Sequence, residues 1–265
     1  MRGKPSVLVL RAAGINCDCE TEYAFRKAGA EAERIHINRL IEQPALLRRF
    51  QVLVLPGGFS YGDDVASGRI LANELRGKLA EHIERFLAEG KLILGICNGF
   101  QVLVKAGLLP GDTLWRQSVT LTLNDSNRFE DRWVYLKVCS ARSVFVREGE
   151  DAYLPVAHAE GKFVAGSPET LARLEANGQV VFRYVGPEGQ RATYPWNPNG
   201  SQNDVAGICD PSGRILGMMP HPERYVRLTQ HPRWTRMRGA LGERAREPDG
   251  LRIFRNAVAY VRAEL

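Results

Sequence analysis

Nowhere in the 265 residues is there a run approaching the roughly 18 consecutive apolar residues that a membrane-spanning helix needs, because glycine or polar residues interrupt every apolar stretch. The opening MRGKPSVLVL has too short an apolar run for a secretory signal. Cysteine is sparse and odd in number: Cys17, Cys19, Cys97, Cys139 and Cys209 are scattered along the chain. That pattern excludes a disulfide framework and points to the reducing cytoplasm. Cys17 and Cys19 have no second pair at structural-zinc spacing, so no metal site is expected. Internal repeats and low-complexity segments are missing too, which excludes solenoids and disordered linkers.

What remains is an ordinary globular composition, 44% hydrophobic and 25% charged. The formal charge of +6 would suit nucleic acid, but most Lys and Arg are interspersed with Asp and Glu, which argues against it. One segment is different. Arginines 224, 227, 233, 236, 238, 244 and 246 face a single carboxylate, Glu243, with Tyr225 and Trp234 interleaved. A solvated basic face, a docking surface for an acidic partner and an RNA contact all fit this pattern.

Short β-branched and leucine-rich runs at Val7 to Leu10, Val52 to Leu55, Lys91 to Ile96, Val205 to Cys209 and Ile215 to Met219 read as buried strands. Helix-period stretches at Glu20 to Ala28, Ile70 to Glu89 and Gly99 to Ala106 alternate with the early strands. From Leu114 to Tyr194 helical periodicity is scarce, and Trp133 to Val138 and Val180 to Tyr184 read as strands. The expected architecture is α/β: one domain over 1–265, an open, mostly parallel twisted sheet flanked by helices, with an antiparallel excursion. An irregular basic segment at about 228–250 and a closing helix at about 251–264 complete it.

Gly95-Ile96-Cys97-Asn98-Gly99 lies between the apolar strand KLIL and the helical run FQVLVKAG. G-x-C-x-G in this setting is a nucleophile elbow with cysteine in place of serine: small flanking residues let strand and helix approach. The helix N-terminus favours a thiolate. A buried structural cysteine is the competing reading, and the other four cysteines are read that way.

Five histidines are available as a base: His36, His82, His158, His221 and His231. His82 lies in the helical AEHIERF, His231 in the basic segment, and His36 after a strand region without an acidic neighbour downstream. His221 directly follows the strand ILGMMP, where open α/β folds present functional groups. Glu223 is two residues on, and in an extended segment it shares a side with the imidazole and can fix its tautomer. A turn with a surface ion pair is the plain alternative. The glycine-rich Pro56 to Asp63 loop after strand VLVL is either a flexible connection or a means of aiming the Gly58 N–H, with that of Asn98, at an oxyanion. It lacks the G-K-[ST] ending of a phosphate loop.

Together PGGFSYGDD, GICNGFQ, NPNGS (Asn197 to Ser201) and MMPHPER (Met218 to Arg224) resemble, in order and spacing, the glutaminase subunits of phosphoribosylformylglycinamidine synthases, class I glutamine amidotransferases. The resemblance covers roughly Pro5 to Arg224 and the closing helix. It implies a class I amidotransferase fold with a triad of Cys97, His221 and Glu223, an oxyanion hole of Gly58 and Asn98, and contact of Gln101 with bound glutamine. HAEGKF resembles a segment that often reads His-Gly-Glu-Gly, which makes His158 and Glu160 candidates for the site wall or an interface; Ala159 departs from it. The segment 228–250 is longer than in the shorter bacterial form, which leaves partner geometry open. The resemblance further implies no cofactor in this chain, ATP and magnesium on a partner synthetase subunit, and a small accessory subunit. A cysteine thioesterase or peptidase and a non-catalytic scaffold subunit are the alternatives.

Overall fold

The computed structural model describes residues 3–241 and 247–265. In its first half, strands β1 (Ser6–Arg11), β2 (Glu31–His36), β3 (Val52–Leu55) and β4 (Leu92–Ile96) alternate with helices α1 (Asp18–Lys27), α2 (Ile37–Glu42), α3 (Arg69–Lys78) and α4 (Ala80–Ala88). Helix α5 (Asn98–Ala106) follows β4. β3 and β4 are buried at every position, which is why they read as unbroken apolar runs rather than as alternating ones. The single helix expected over Ile70 to Glu89 is two helices, broken at Leu79 (φ −126°). Leu71, Leu75, Leu79, Ile83 and Phe86 are all buried, so helical spacing runs straight through the break and hides it.

The second half contains β5 (Val119–Thr122), β6 (Glu130–Val138), β7 (Ala152–His158), β8 (Lys162–Ala165), α6 (Pro168–Ala176), β9 (Val180–Val185), β10 (Val205–Cys209) and β11 (Ile215–Met218). Nine strands form one sheet in the order β2-β1-β3-β4-β11-β10-β9-β6-β7, while β5 and β8 pair apart from it. Pairing is parallel from β2 to β11 and antiparallel from β11 to β7. The antiparallel excursion therefore extends the main sheet. β11 returns the chain to mid-sheet beside β4, with Met218 opposite Ile96, and so brings the ends of two distant segments together.

The described part of the segment expected to be irregular at about 228–250 holds a 3-10 turn at Leu228–Gln230 and helix α7 (Trp234–Leu241); residues 242–246 lie outside the described residues. Closing helix α8 (Asp249–Glu264) buries Leu251, Ile253, Phe254, Ala257, Val258 and Val261. Its Phe254 meets Phe25 of α1 edge-on at 4.9 Å. Full burial of each such large side chain is worth about 1.5–3 kcal/mol, enough to hold α8 against the sheet's helical cover. The first arginines of the basic run are not free in solvent. Arg224 bonds Glu20 at 3.0 Å, and Arg227 stacks over Tyr23 with its carbon 4.4 Å from the ring centre. Arg244 and Arg246 lie outside the described residues.

Candidate active site

The chain turns from β4 into α5 at Cys97 with φ 50° and ψ −107°, a backbone conformation sparsely populated by non-glycine residues. The turn closes only because its flanks lack side chains. A Cβ on Gly99 would sit 1.8 Å from the Leu55 carbonyl oxygen, and one on Gly95 would sit 2.7 Å from that of Gly99. The Cys97 N–H donates to the Met218 carbonyl at 2.8 Å, which fixes the elbow to the end of β11. Cys97 is almost wholly buried, and its Sγ lies 3.6 Å from the Ala157 carbonyl oxygen at the end of β7. Asn98 opens α5, where a first-turn amide has no intrahelical acceptor.

Three residues past β11, the His221 N–H donates to the Pro155 carbonyl at 2.8 Å. Its Nδ1 lies 2.5 Å from Glu223 Oε1, and Glu223 is completely buried. The two do not share a side through an extended backbone, as the sequence suggested. Pro222–Arg224 form a 3-10 turn that swings Glu223 back under the ring. Gly250 at the start of α8 packs on this turn, since a Cβ there would meet the Pro222 carbonyl oxygen at 2.0 Å. Burial pushes the His221 pKa down, but the Glu223 carboxylate, and then the Cys97 thiol beside it, more than offset this, so it stands well above the usual value. With Nδ1 committed to Glu223, Nε2 has no partner at hydrogen-bonding geometry among the described residues, and it is the nitrogen left for chemistry.

The glycine-rich loop lies against this ring. A Cβ on Gly57 would meet His221 Cε1 at 2.7 Å, and one on Gly58 (φ 145°) would be 2.7 Å from the Ile15 Cα. The Gly58 N–H has no acceptor among the described residues. The Asn98 side chain ties loop to elbow, its Oδ1 accepting from the Ser60 N–H at 3.2 Å and its Nδ2 donating to Asp63 at 3.1 Å. Asn98 Nδ2 also donates to Gln101 Oε1 at 2.9 Å, and Gln101 Nε2 donates to the Glu160 carbonyl at 2.6 Å. Both carboxamide atoms of Gln101 are thus engaged in holding the 158–161 segment near the elbow. The Glu160 carboxylate lies 3.9 Å from Lys105, whose pKa burial lowers against the pull of Glu160 and Asp63.

His158 is fully buried, and desolvation, followed by the charge of His221, pushes its pKa down to about 3. Its Nδ1 lies 3.2 Å from Asn124 Oδ1, which also accepts the Gly161 N–H at 3.0 Å. A Cβ on Gly161 would sit 2.3 Å from the His158 ring. Asn199 of the NPNGS segment donates to the Gly161 carbonyl at 2.9 Å and to the Tyr184 hydroxyl at 3.2 Å. His158 is therefore held neutral in the wall behind the site.

One residue next to His221 carried no local signal. Cys17, read as structural, puts its Sγ within 4.8 Å of the ligand atoms of both His221 and Glu223. Arg224 donates to that Sγ at 3.2 Å. The Cys17 pKa is raised to about 11, by burial first. Elsewhere, Cys209 is buried while Cys19 and Cys139 are exposed. His36 caps α2, His82 lies on α4, and His231 stacks among Trp133, Tyr153 and Tyr225.

Residues 4–261 match the family model of the CobB/CobQ-like glutamine amidotransferase domain. The phosphoribosylformylglycinamidine synthase subunit PurQ of Dehalococcoides mccartyi is 52% identical over 98% of each chain. That of Methanococcus maripaludis is 43% identical over 97% of this chain and 98% of its own. Among solved structures, PurLQS from Thermotoga maritima superposes with a TM-score of 0.73 at 30% identity, over 98% of this chain and 100% of that one. A glutamine amidotransferase of the same organism, with a TM-score of 0.55 at 17% identity, shares the fold.

Proposed function

The chain belongs to the family of CobB/CobQ-like glutamine amidotransferase domains, and from that premise we propose that it is the glutaminase subunit of a phosphoribosylformylglycinamidine synthase. It hydrolyses glutamine to glutamate and ammonia, and the ammonia converts formylglycinamide ribonucleotide to the amidine in purine biosynthesis. The observation that carries the reading is the junction of β4 and β11. One hydrogen bond, from the Cys97 N–H to Met218, joins the elbow to the strand that ends in the His221–Glu223 pair.

As Cys97 Sγ attacks the side-chain amide carbon of glutamine, His221 Nε2 takes the thiol proton, and the raised basicity imposed by Glu223 suits it to do so. The new oxyanion is held by the Gly58 and Asn98 N–H groups. The C–N bond then breaks as His221 returns its proton to the leaving nitrogen, releasing ammonia and leaving a glutamyl thioester. Water gives a proton to His221 and attacks the thioester, and the proton goes back to Cys97 as glutamate departs. Gln101 contacts the bound glutamine, and Glu160 belongs to the wall of the site. The chemistry needs no cofactor in this chain. ATP and magnesium act on the synthetase subunit, to which this chain docks together with a small accessory subunit, in the cytoplasm.

Replacing Cys97 with Ala is expected to abolish amidine formation from glutamine in the reconstituted complex while sparing formation from added ammonium, with both followed by product assay. Glutamine-dependent synthesis retained by that variant would remove Cys97 from the mechanism.

A further inference from the structure

The mechanism uses Cys97, His221 and Glu223 and leaves Cys17 without a task, although its thiol is buried against the same histidine. Cys17 Sγ, a His221 ring nitrogen and a Glu223 carboxylate oxygen all lie within 4.8 Å of one another. Three ligands about a tetrahedral zinc-like ion, at about 2.0–2.3 Å from it, stand about 3.3–3.7 Å apart, so small shifts complete the set, with the His221 Nδ1–Glu223 Oε1 pair, now 2.5 Å apart, opening to admit the ion. A second observation points the same way. Glu223 Oε2 is buried and has no hydrogen-bond partner among the described residues, although Oε1 is taken by His221. A buried carboxylate oxygen without a donor is costly, and a cation would satisfy it.

We propose that Cys17, His221 and Glu223 form an inhibitory site for thiophilic divalent cations such as zinc and cadmium, which ties up the histidine that Cys97 needs as its base. The proposal rests on the reading of His221 and Glu223 as catalytic only for the inhibition, not for the binding. When the ion enters, the Cys17 thiol proton leaves to solvent and the imidazole proton moves from Nδ1 to Nε2, which can then no longer accept one from Cys97. Thiolate, Nδ1 of the neutral imidazole and carboxylate then surround the ion. Water supplies the fourth ligand. Arg224, which donates to Cys17 Sγ at 3.2 Å, stabilises the thiolate, and its own charge is offset by Glu20 at 3.0 Å. Soft thiolate together with imidazole selects zinc and cadmium over magnesium, so a magnesium-dependent partner reaction would leave the site unaffected.

Binding is read in the full-length Cys97→Ala variant, which lacks the rival thiol, by titration with cadmium chloride and the ultraviolet cadmium–thiolate charge-transfer absorption. The expected result is a saturable one-equivalent band that adding Cys17→Ser or Glu223→Gln weakens by about tenfold or more in affinity, with far-ultraviolet circular dichroism unchanged. An undiminished band in the Cys97→Ala, Cys17→Ser double variant would assign the metal to another thiol, exposed Cys19 or Cys139 among them, and overturn the proposal. In the otherwise native protein, glutamine hydrolysis is expected to be inhibited reversibly by zinc, restored by chelator, and about tenfold less sensitive in Cys17→Ser. Equal sensitivity would also overturn it, whereas a chain with the cadmium band but no glutaminase activity would instead sink the proposed function.

Discussion

At the scale of single residues, His158 and His221 show how one side-chain type takes opposite roles within one site. Both rings are buried, but only His221 has a carboxylate, Glu223, to outweigh desolvation. His158 has the neutral Asn124 instead. Its folded pKa of about 3 lies below its unfolded value, so its contribution to stability is complete above roughly pH 6.5 and is lost as pH falls toward 3. At pH 5 that loss amounts to about 2 kcal/mol, from 1.36 kcal/mol per unit. His158→Gln is expected to be less stable at pH 7.5, through lost packing, yet to show a flatter decline between about pH 6.5 and 4.5 in chemical denaturation series. Parallel declines would mean that His158 is not the buried titrating group. His221 and Glu223 were legible in the sequence because Pro222 keeps them adjacent, whereas Cys17 was not. It meets His221 only across the sheet, 204 residues away in the chain, and nothing in the local string NCDC signals a thiol aimed at an imidazole.

Among the elements, the elbow was the most legible because its constraints are local. Glycines at Gly95 and Gly99 around a cysteine say directly that strand and helix must touch there, and the structure supplies the contacts with Leu55 and Leu103. Gly99→Ala would place a methyl 1.8 Å from the Leu55 carbonyl oxygen, which belongs to backbone inside the sheet and cannot rotate away. Overpacking of this kind costs about 1–3 kcal/mol, and relief has to come from moving the α5 start that carries Asn98. The expected outcome in thermal unfolding is a lowered midpoint, together with a loss of glutaminase activity larger than the unfolded fraction explains. Near-native activity with lowered stability would show that the elbow tolerates the shift. Element boundaries were less legible. The break at Leu79 sits on an unbroken apolar period. The antiparallel direction of β10 depends on its partners β9 and β11 and not on its own residues, VAGIC being as apolar as a parallel strand.

At the scale of the whole molecule, the site lies where the parallel and antiparallel halves of the sheet meet: β4 brings Cys97, β11 brings His221, and β7 ends at His158. Only the halves' existence was legible in the sequence; that they share one sheet is set by long-range pairing of β11 with β4 and β10. NPNGS carried a family resemblance but no evident mechanical purpose, and the fold gives it one. Asn199 is fully buried. It donates to Gly161 and Tyr184 and accepts from the Ser201 N–H at 3.0 Å and hydroxyl at 2.7 Å. Gly161 follows Glu160, whose carbonyl receives Gln101 from the other half. Asn199→Ala leaves several of these buried groups without partners at about 1–3 kcal/mol each, partly relieved by the Ser201 hydroxyl 3.4 Å from the Gly161 carbonyl. A net loss of about 2–3 kcal/mol is expected in urea denaturation. Because the freed 158–161 segment bears on Gln101, proposed to contact glutamine, rather than on the Cys97–His221 pair proposed for the chemistry, KM for glutamine is expected to rise more than kcat falls. A kcat loss at constant KM would instead place the effect on the elbow through Ala157, whose carbonyl faces the Cys97 thiol.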